Sequence, residues 1–513
     1  MLKTLINILS NTIVRFIPLA ASFFLIPVII NYVGIEVYGA WAVLGAFVGM
    51  APVMNMGFGF VLEKEVARLK SRENDPMLVT NFLFSTLPIQ FIIAAVIMAL
   101  FLLVIHGILD ITNMSPVLRQ SFYNLQYLLL LFLFFKYFSN NFMSIVMGME
   151  RHYILMAINF FYMVAYVISV LTILPSHPNL LGLVICNSIA MLTMFVSLLF
   201  YILFHLTIDL KKLRFHRLER SIFGYSAHAF TLQLCALLLF NAGKVILGAL
   251  VSVVEVSYYD VAYKIFDIIR FTFDSMSRVF LPKASGLKEM NKMHILSYLI
   301  HRGTLHLVAF WGALSIPIYI FIDDFIAIWM GPDFSKSVAI LYVLLATSGF
   351  IVLSRISLNV FLGLGKLKWY TFIRTTSTVL YIIIAFFLTK SFGAVGLASS
   401  LLIYSVISEL LVMIYSFKEF EISMTQFIFK DLTRLGALFI ICGSVANYLI
   451  YPFLPPSYLS CILIFLIFNA LFGTLYFFIM ITSKEKQLAR SIMTHCIEIT
   501  LGTLHKIKEK VIR

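Results

Sequence analysis

The sequence predicts an all-α polytopic membrane protein: about 14 transmembrane helices, forming two parallel six-helix lobes plus two extra C-terminal helices, with both termini cytoplasmic. Three observations lead there: composition, the alternation of basic loops, and an internal repeat. Of 513 residues, 61% are hydrophobic and 12% charged, against roughly 45–50% and about 25% in soluble domains. The length also exceeds the ~250–300 residues at which a single core stops growing, so at least two units are expected.

A spanning helix needs ~20 mostly apolar residues. Runs of that kind, separated by turn residues or charge clusters, fall at 5–33, 38–62, 78–107, 121–147, 153–174, 180–206 and 222–251. They continue at 257–282, 303–330, 336–362, 369–389, 393–417, 435–453 and 458–482. The first begins with polar Asn7, Ser10, Asn11 and Thr12 and contains Arg15, yet stays apolar to Val33. It reads as a first span and not as a cleaved signal. The eighth is unusual in carrying six charged residues.

The net charge of +14 would point to nucleic acid in a soluble protein, but in a membrane protein it records the orientation of loops. Alternate connections hold 27 of the 38 Lys and Arg residues, the opposite side holds only Arg119, Lys336 and Lys390, and eight lie inside spans. That imbalance places both termini in the cytoplasm and removes the case for a nucleic-acid partner. No connection exceeds about twenty residues, leaving no room for a soluble catalytic domain, so a transporter is expected and not an enzyme. The five cysteines are scattered without a C-x-x-C pair and read as small packing residues.

Three segments recur at nearly constant offset. Glu36-Val37 resembles Glu255-Val256, Gly148 in VMGMERHYI resembles Gly363 in FLGLGKLKWY, and Leu181-Gly182-Leu183 resembles Val395-Gly396-Leu397. Six spans return the chain to its starting side, so the repeats are parallel and related by an axis along the membrane normal. The expected organisation is an N-lobe at 1–206, a basic cytoplasmic linker at 207–221, a C-lobe at 222–417 and a second linker at 418–434. Spans 13 and 14 at 435–482 and a basic amphipathic tail at 483–513 complete it.

The stretch PLAASFFLIPVIINYVGIEVYGAWAVLGAF at 18–47, the GMERHYILMAINF turn at 148–160 and the 6+6+2 layout resemble the polysaccharide transporters of the multidrug/oligosaccharidyl-lipid/polysaccharide exporter superfamily, the O-antigen flippase type. The resemblance implies movement of undecaprenyl-pyrophosphate-linked sugar repeat units from the inner to the outer leaflet of the bacterial cytoplasmic membrane. It also implies a pathway shared with a polysaccharide polymerase and glycosyltransferases, and a cavity lined by spans 1, 2, 7 and 8.

Charge within a span is costly and normally faces a cavity or a partner. On span 8, Asp260, Lys264, Asp267, Arg270, Asp274 and Arg278 share one stripe of about 120°. One reading is self-neutralisation through Asp260 with Lys264, Arg270 with Asp274 and Asp274 with Arg278; the other is cavity lining. Elsewhere Arg15, Lys136, Lys244, Arg355 and Arg374 lie in spans against Glu409. Arg374 is expected to snorkel, and Arg355 either to do the same or to pair with Glu409. With the implied cavity helices, Arg15, Lys244, Lys264 and Arg270 converge with Asp260 and Asp267, while Lys136, Asp274 and Arg278 are secondary.

Such a cationic cavity suits a pyrophosphate, which needs charge-assisted donors once out of water. Outward movement of negative charge is favoured by about 2.3 kcal/mol per charge per 100 mV. Pro18 and Pro27 in span 1 remove backbone bonds and are candidates for gating. Gly45-Ala46-Phe47-Val48-Gly49 reads as a helix-packing face, and Trp41, Trp329 and Trp369 as interfacial aromatics. No cofactor is expected; a coupling H+ or Na+ is left open. The alternative is an ion-coupled exporter of small amphipathic molecules, which would favour an acidic cavity.

Overall fold

The computed structural model describes residues 21–49, 58–72, 76–205, 226–290, 293–483 and 485–487. Arg15, Pro18, the basic linker at 207–221 and most of the tail therefore lie outside the described residues. The chain is helical throughout what is described, as a bilayer requires of a chain that must pair its own backbone groups.

In the first half, α1 (Ala21–Val33), α2 (Ile35–Val48), α3 (Phe58–Arg72), α4 (Pro76–Ile111), α5 (Pro116–Gly148), α6 (His152–Ile173) and α7 (Leu180–His205) follow one another. In the second, α8 (Ser226–Leu237) passes through a wide π-helical turn, Leu238–Ala242, into α9 (Gly243–Leu250). There follow α10 (Val253–Ser277), α11 (Phe280–Glu289), α12 (Met293–Met330), α13 (Ser335–Leu364) and α14 (Lys368–Glu419). Then come α15 (Thr433–Ser444) and α16 (Tyr458–Ile479).

Local chemistry explains several boundaries. Ser252 caps α10 by accepting from the Glu255 backbone N at 3.2 Å, and Ser457 caps α16 by accepting from the Ser460 N at 3.2 Å, each satisfying an orphan donor. Pro116 sits in the first turn of α5, where it forfeits no bond. Gly393, at φ +58°, breaks α14 into the two limbs expected as spans 11 and 12. The limbs fold back on one another, with Tyr381 and Tyr404 ring centroids 5.9 Å apart.

Ten described helices are long and apolar enough to cross a membrane, the bent α14 among them, and Ala21–Val33 and Ile35–Val48 are shorter apolar helices. The chain forms two compact units. One comprises residues up to Leu307 together with Trp329–Ile422. The other comprises Val308–Ile328 and the chain from Ser423 onward, with Phe321, Cys461 and Ile464 at its core.

Within the larger unit the sequence repeat has a structural counterpart. A Cβ added to Gly148 would lie 2.5 Å from the Glu63 carbonyl and 2.9 Å from Val66, and one on Gly363 would lie 2.4 Å from the Leu281 carbonyl and 3.0 Å from Ala284. The same close helix approach is thus made twice by residues at matching offsets. Glu36 accepts from the Ser115 backbone N at the start of α5, at 2.7 Å, as Glu255 accepts from Lys336 at the start of α13, at 2.9 Å. After α5 the chain turns through Glu150 at φ +59°, and after α13 through Gly365 at φ +73°.

Candidate functional site

A cavity of about 580 Å³ lies in the larger unit, within the ~300–1,000 Å³ typical of small-molecule sites. It is lined by α1, α2, the α8–α9 segment and α10, with Tyr166 from α6. Lys244, Asp260, Lys264, Asp267 and Arg270 all line it. Along α10 the lining runs from Asp260 to Arg270, which at 1.5 Å per residue is about 15 Å of wall.

At one end the cavity is closed by the two halves touching. A Cβ on Gly39 would fall 1.8 Å from the Val253 carbonyl oxygen, so only glycine permits this approach of α2 to α10. Ser257 donates to the Ile35 carbonyl at 2.6 Å. Asn113 donates to the Ala249 and Val251 carbonyls at 3.0 and 3.2 Å. Its own carbonyl accepts from the Val253 N at 3.2 Å.

Just inside this seal sits Asp260, 3% exposed. It accepts from Tyr38 at 2.6 Å and is paired with Lys244. Lys244 also lies 4.8 Å from the Tyr263 ring centroid, a cation–π contact. Lys264 approaches Asp260 only to 3.9 Å and keeps 29% of its side chain exposed. Deeper along α10, Arg270 is held by Asp267, with Nε 3.0 Å from Oδ1, by Asp274 at 3.2 Å and by the Phe240 ring at 4.3 Å.

Two of the pairs expected from helical spacing are present, Asp260 with Lys264 at 3.9 Å and Arg270 with Asp274 at 3.2 Å, whereas the pair expected between Asp274 and Arg278 is not. Asp274 points away from the cavity lining and bridges Arg270 to Arg355, at 3.2 Å. Arg278 is exposed near the end of α10 and forms no ion pair among the described residues. Lys136 lies away from the lining, 5.9 Å from the Phe132 ring. Pro27 is half-buried in α1.

Arg374 does not snorkel: it is 6% exposed and binds Glu409 through two bonds of 2.7 and 2.6 Å. The acid is thereby taken by Arg374, and Arg355 goes to Asp274.

Several lining residues escaped the sequence reading, among them Tyr38, Tyr166, Gln233 and Tyr263. Tyr38 is buried, and its hydroxyl, which needs a partner in an apolar span, was the available signal. Trp41 lines the cavity. Trp329, 8% exposed, stacks on Phe23 at 4.2 Å, whereas Trp369 is exposed. Gly45 also lines the cavity, and among the described residues a Cβ there would meet nothing within 4 Å, so it is not a packing contact with them.

A bundle of apolar helices enclosing a charged cavity defines a polytopic membrane protein. The chain belongs to the polysaccharide biosynthesis protein family, whose profile matches residues 3–288. The polysaccharide family resemblance seen in the sequence is thereby shown. No curated protein matches the chain in sequence.

Among solved structures, the lipid II flippase MurJ in an inward closed conformation aligns with a TM-score of 0.67 at 15% identity, covering 91% of this chain and 98% of its own. An inward-facing multidrug resistance MATE transporter of the MOP superfamily also reaches 0.67, at 13% identity, covering 80% and 94%. A MOP superfamily transporter from Pyrococcus furiosus, described as having a binding pocket of reversed polarity, reaches 0.57 at 14% identity, covering 81% and 94%. At such identities the likeness is one of fold.

Proposed function

We propose that this chain is an alternating-access flippase that carries an undecaprenyl-pyrophosphate-linked oligosaccharide, an O-antigen or related repeat unit, from the inner to the outer leaflet of the bacterial cytoplasmic membrane. The observation that carries the reading is the partly exposed Lys264 ammonium, which makes only a long 3.9 Å approach to an Asp260 already bound to Lys244, in a cavity whose other charges are more closely paired. Asp260 and Asp267 neutralise Lys244 and Arg270, so an incoming anion meets Lys264 first. Arg270 then offers planar donors to the same anion.

Orientation by the basic loops makes the sealed end the outer one, and a lipid headgroup enters from the cytoplasmic side. Release outward requires Gly39 and Val253 to part. Arg15, Pro18 and Pro27 belong to this proposal as a further cation and as bending points of span 1. The 6+6+2 division, the polymerase and glycosyltransferases as pathway partners, and H+ or Na+ as the coupling ion belong to it too. A drug exporter is less well supported, because a cationic ligand needs a carboxylate free to face it, and both cavity carboxylates are occupied.

The test is flipping in proteoliposomes of full-length protein. Lys264→Ala is expected to reduce transport at least tenfold, and Lys264→Arg to retain most of it. Unchanged flipping by well-folded Lys264→Ala would refute the assignment.

A further inference from the structure

The cavity wall is divided. Among the described residues every lining charge comes from α9 and α10, and neither Ala21–Val33 nor α2 contributes one. On α2 the lining includes Trp41, Gly45 and Gly49, one helical turn apart. Gly49 is packed, since a Cβ there would lie 3.0 Å from Asn241 Oδ1, but among the described residues nothing would lie within 4 Å of a Cβ on Gly45. Small residues in membrane helices usually serve close helix contact. Gly45 serves none, and its missing side chain leaves bare backbone beside the indole. Gln233, also in the lining, carries a buried Oε1 with no hydrogen-bond partner.

An indole presents a broad, electron-rich face that attracts the weakly positive C–H groups on one side of a pyranose ring. A charged wall and a flat neutral wall together match a molecule with an anion at one end and a sugar next to it. We propose that Trp41 and the open backbone at Gly45 form a ledge for the first sugar ring of the headgroup, while α10 takes its phosphate. The inference rests on the flippase reading and adds how a glycosylated lipid is told from a bare one. Because the indole reads the C–H face and not the hydroxyl pattern, any pyranose of ordinary size serves as a probe.

The experiment measures binding by full-length protein in nanodiscs of two probes: undecaprenyl pyrophosphate alone and the same lipid carrying one N-acetylglucosamine. The unsubstituted protein is expected to bind the glycosylated probe about tenfold more tightly, equivalent to ~1.4 kcal/mol. Trp41→Ala and Gly45→Leu should abolish that preference while leaving binding of the bare lipid unchanged, which also reports their folding. Trp41→Phe should keep part of it, and Lys264→Ala should weaken both probes equally with the preference intact. No preference in the unsubstituted protein, or equal weakening of both probes by Trp41→Ala, overturns the ledge and leaves the anion reading standing. Failure of the unsubstituted protein to bind either lipid overturns both.

Discussion

Removing one partner of a buried ion pair leaves an uncompensated charge, and the Arg374–Glu409 pair sets the size of that penalty in this protein. Glu409 is 1% exposed and meets both guanidinium nitrogens; Ser354 donates to it as well. Glu409→Gln is expected to lower unfolding stability by about 3–5 kcal/mol, whereas the double change Arg374→Met with Glu409→Leu should recover most of it. Denaturation of purified protein in detergent checks both; equal loss in single and double variants would contradict the pairing. These residues also show what a sequence reveals at this scale. Charges in apolar spans stand out by type, so the α10 stripe was legible. Partners one turn away on the same helix were legible too, but those from other helices were not, because Lys244 reaches Asp260 from α9 and Arg355 reaches Asp274 across 81 positions. Trp41 was misplaced for a related reason: near a span end, an interfacial and a cavity-facing tryptophan look identical in one dimension.

Elements carry their information in backbone proximity, where side-chain patterns say least. The seal between α2 and α10 depends on Gly39 having no Cβ. Gly39→Val is therefore expected to hold the halves apart and to stall flipping while preserving the helices. Cysteines introduced at Ile35 and Ser257, whose residues are joined by a 2.6 Å hydrogen bond, should cross-link in the parent background and several-fold less with Gly39→Val. Undiminished cross-linking would show that the glycine is not required. The G-x-x-x-G motif of α2 gave the opposite lesson, since its spacing predicted packing and only Gly49 obeys. The bend at Gly393 was legible as a boundary between two apolar runs, but the return of one limb onto the other was not.

For the molecule as a whole, the repeat was readable as three short matches because the same physical demand, a helix approaching another too closely for a side chain, selects glycine in both halves at Gly148 and Gly363. The turns that follow show how far the halves have diverged: Gly365 adopts positive φ freely, whereas Glu150 does so against its Cβ. Orientation rests on the placement of the basic residues. Lys390 is exposed at the end of the first limb of α14, just before the bend at Gly393, and Lys418 is exposed near the far end of the second. Lys390→Cys should react with an impermeant maleimide from outside intact cells, and Lys418→Cys only after permeabilisation. The reverse pattern would invert the orientation and with it the direction of transport.

The wide turn at Leu238–Ala242 gives this architecture a source of slack. Such a turn holds one residue more than an α-helical turn needs. Tightening it would rotate everything beyond it by about 100°, the angle that one residue subtends. Lys244 stands two residues past that point, and Phe240, which faces Arg270, lies within it. A small local rewinding is thus geared to both cation contacts of the cavity at once, like a cam under two followers.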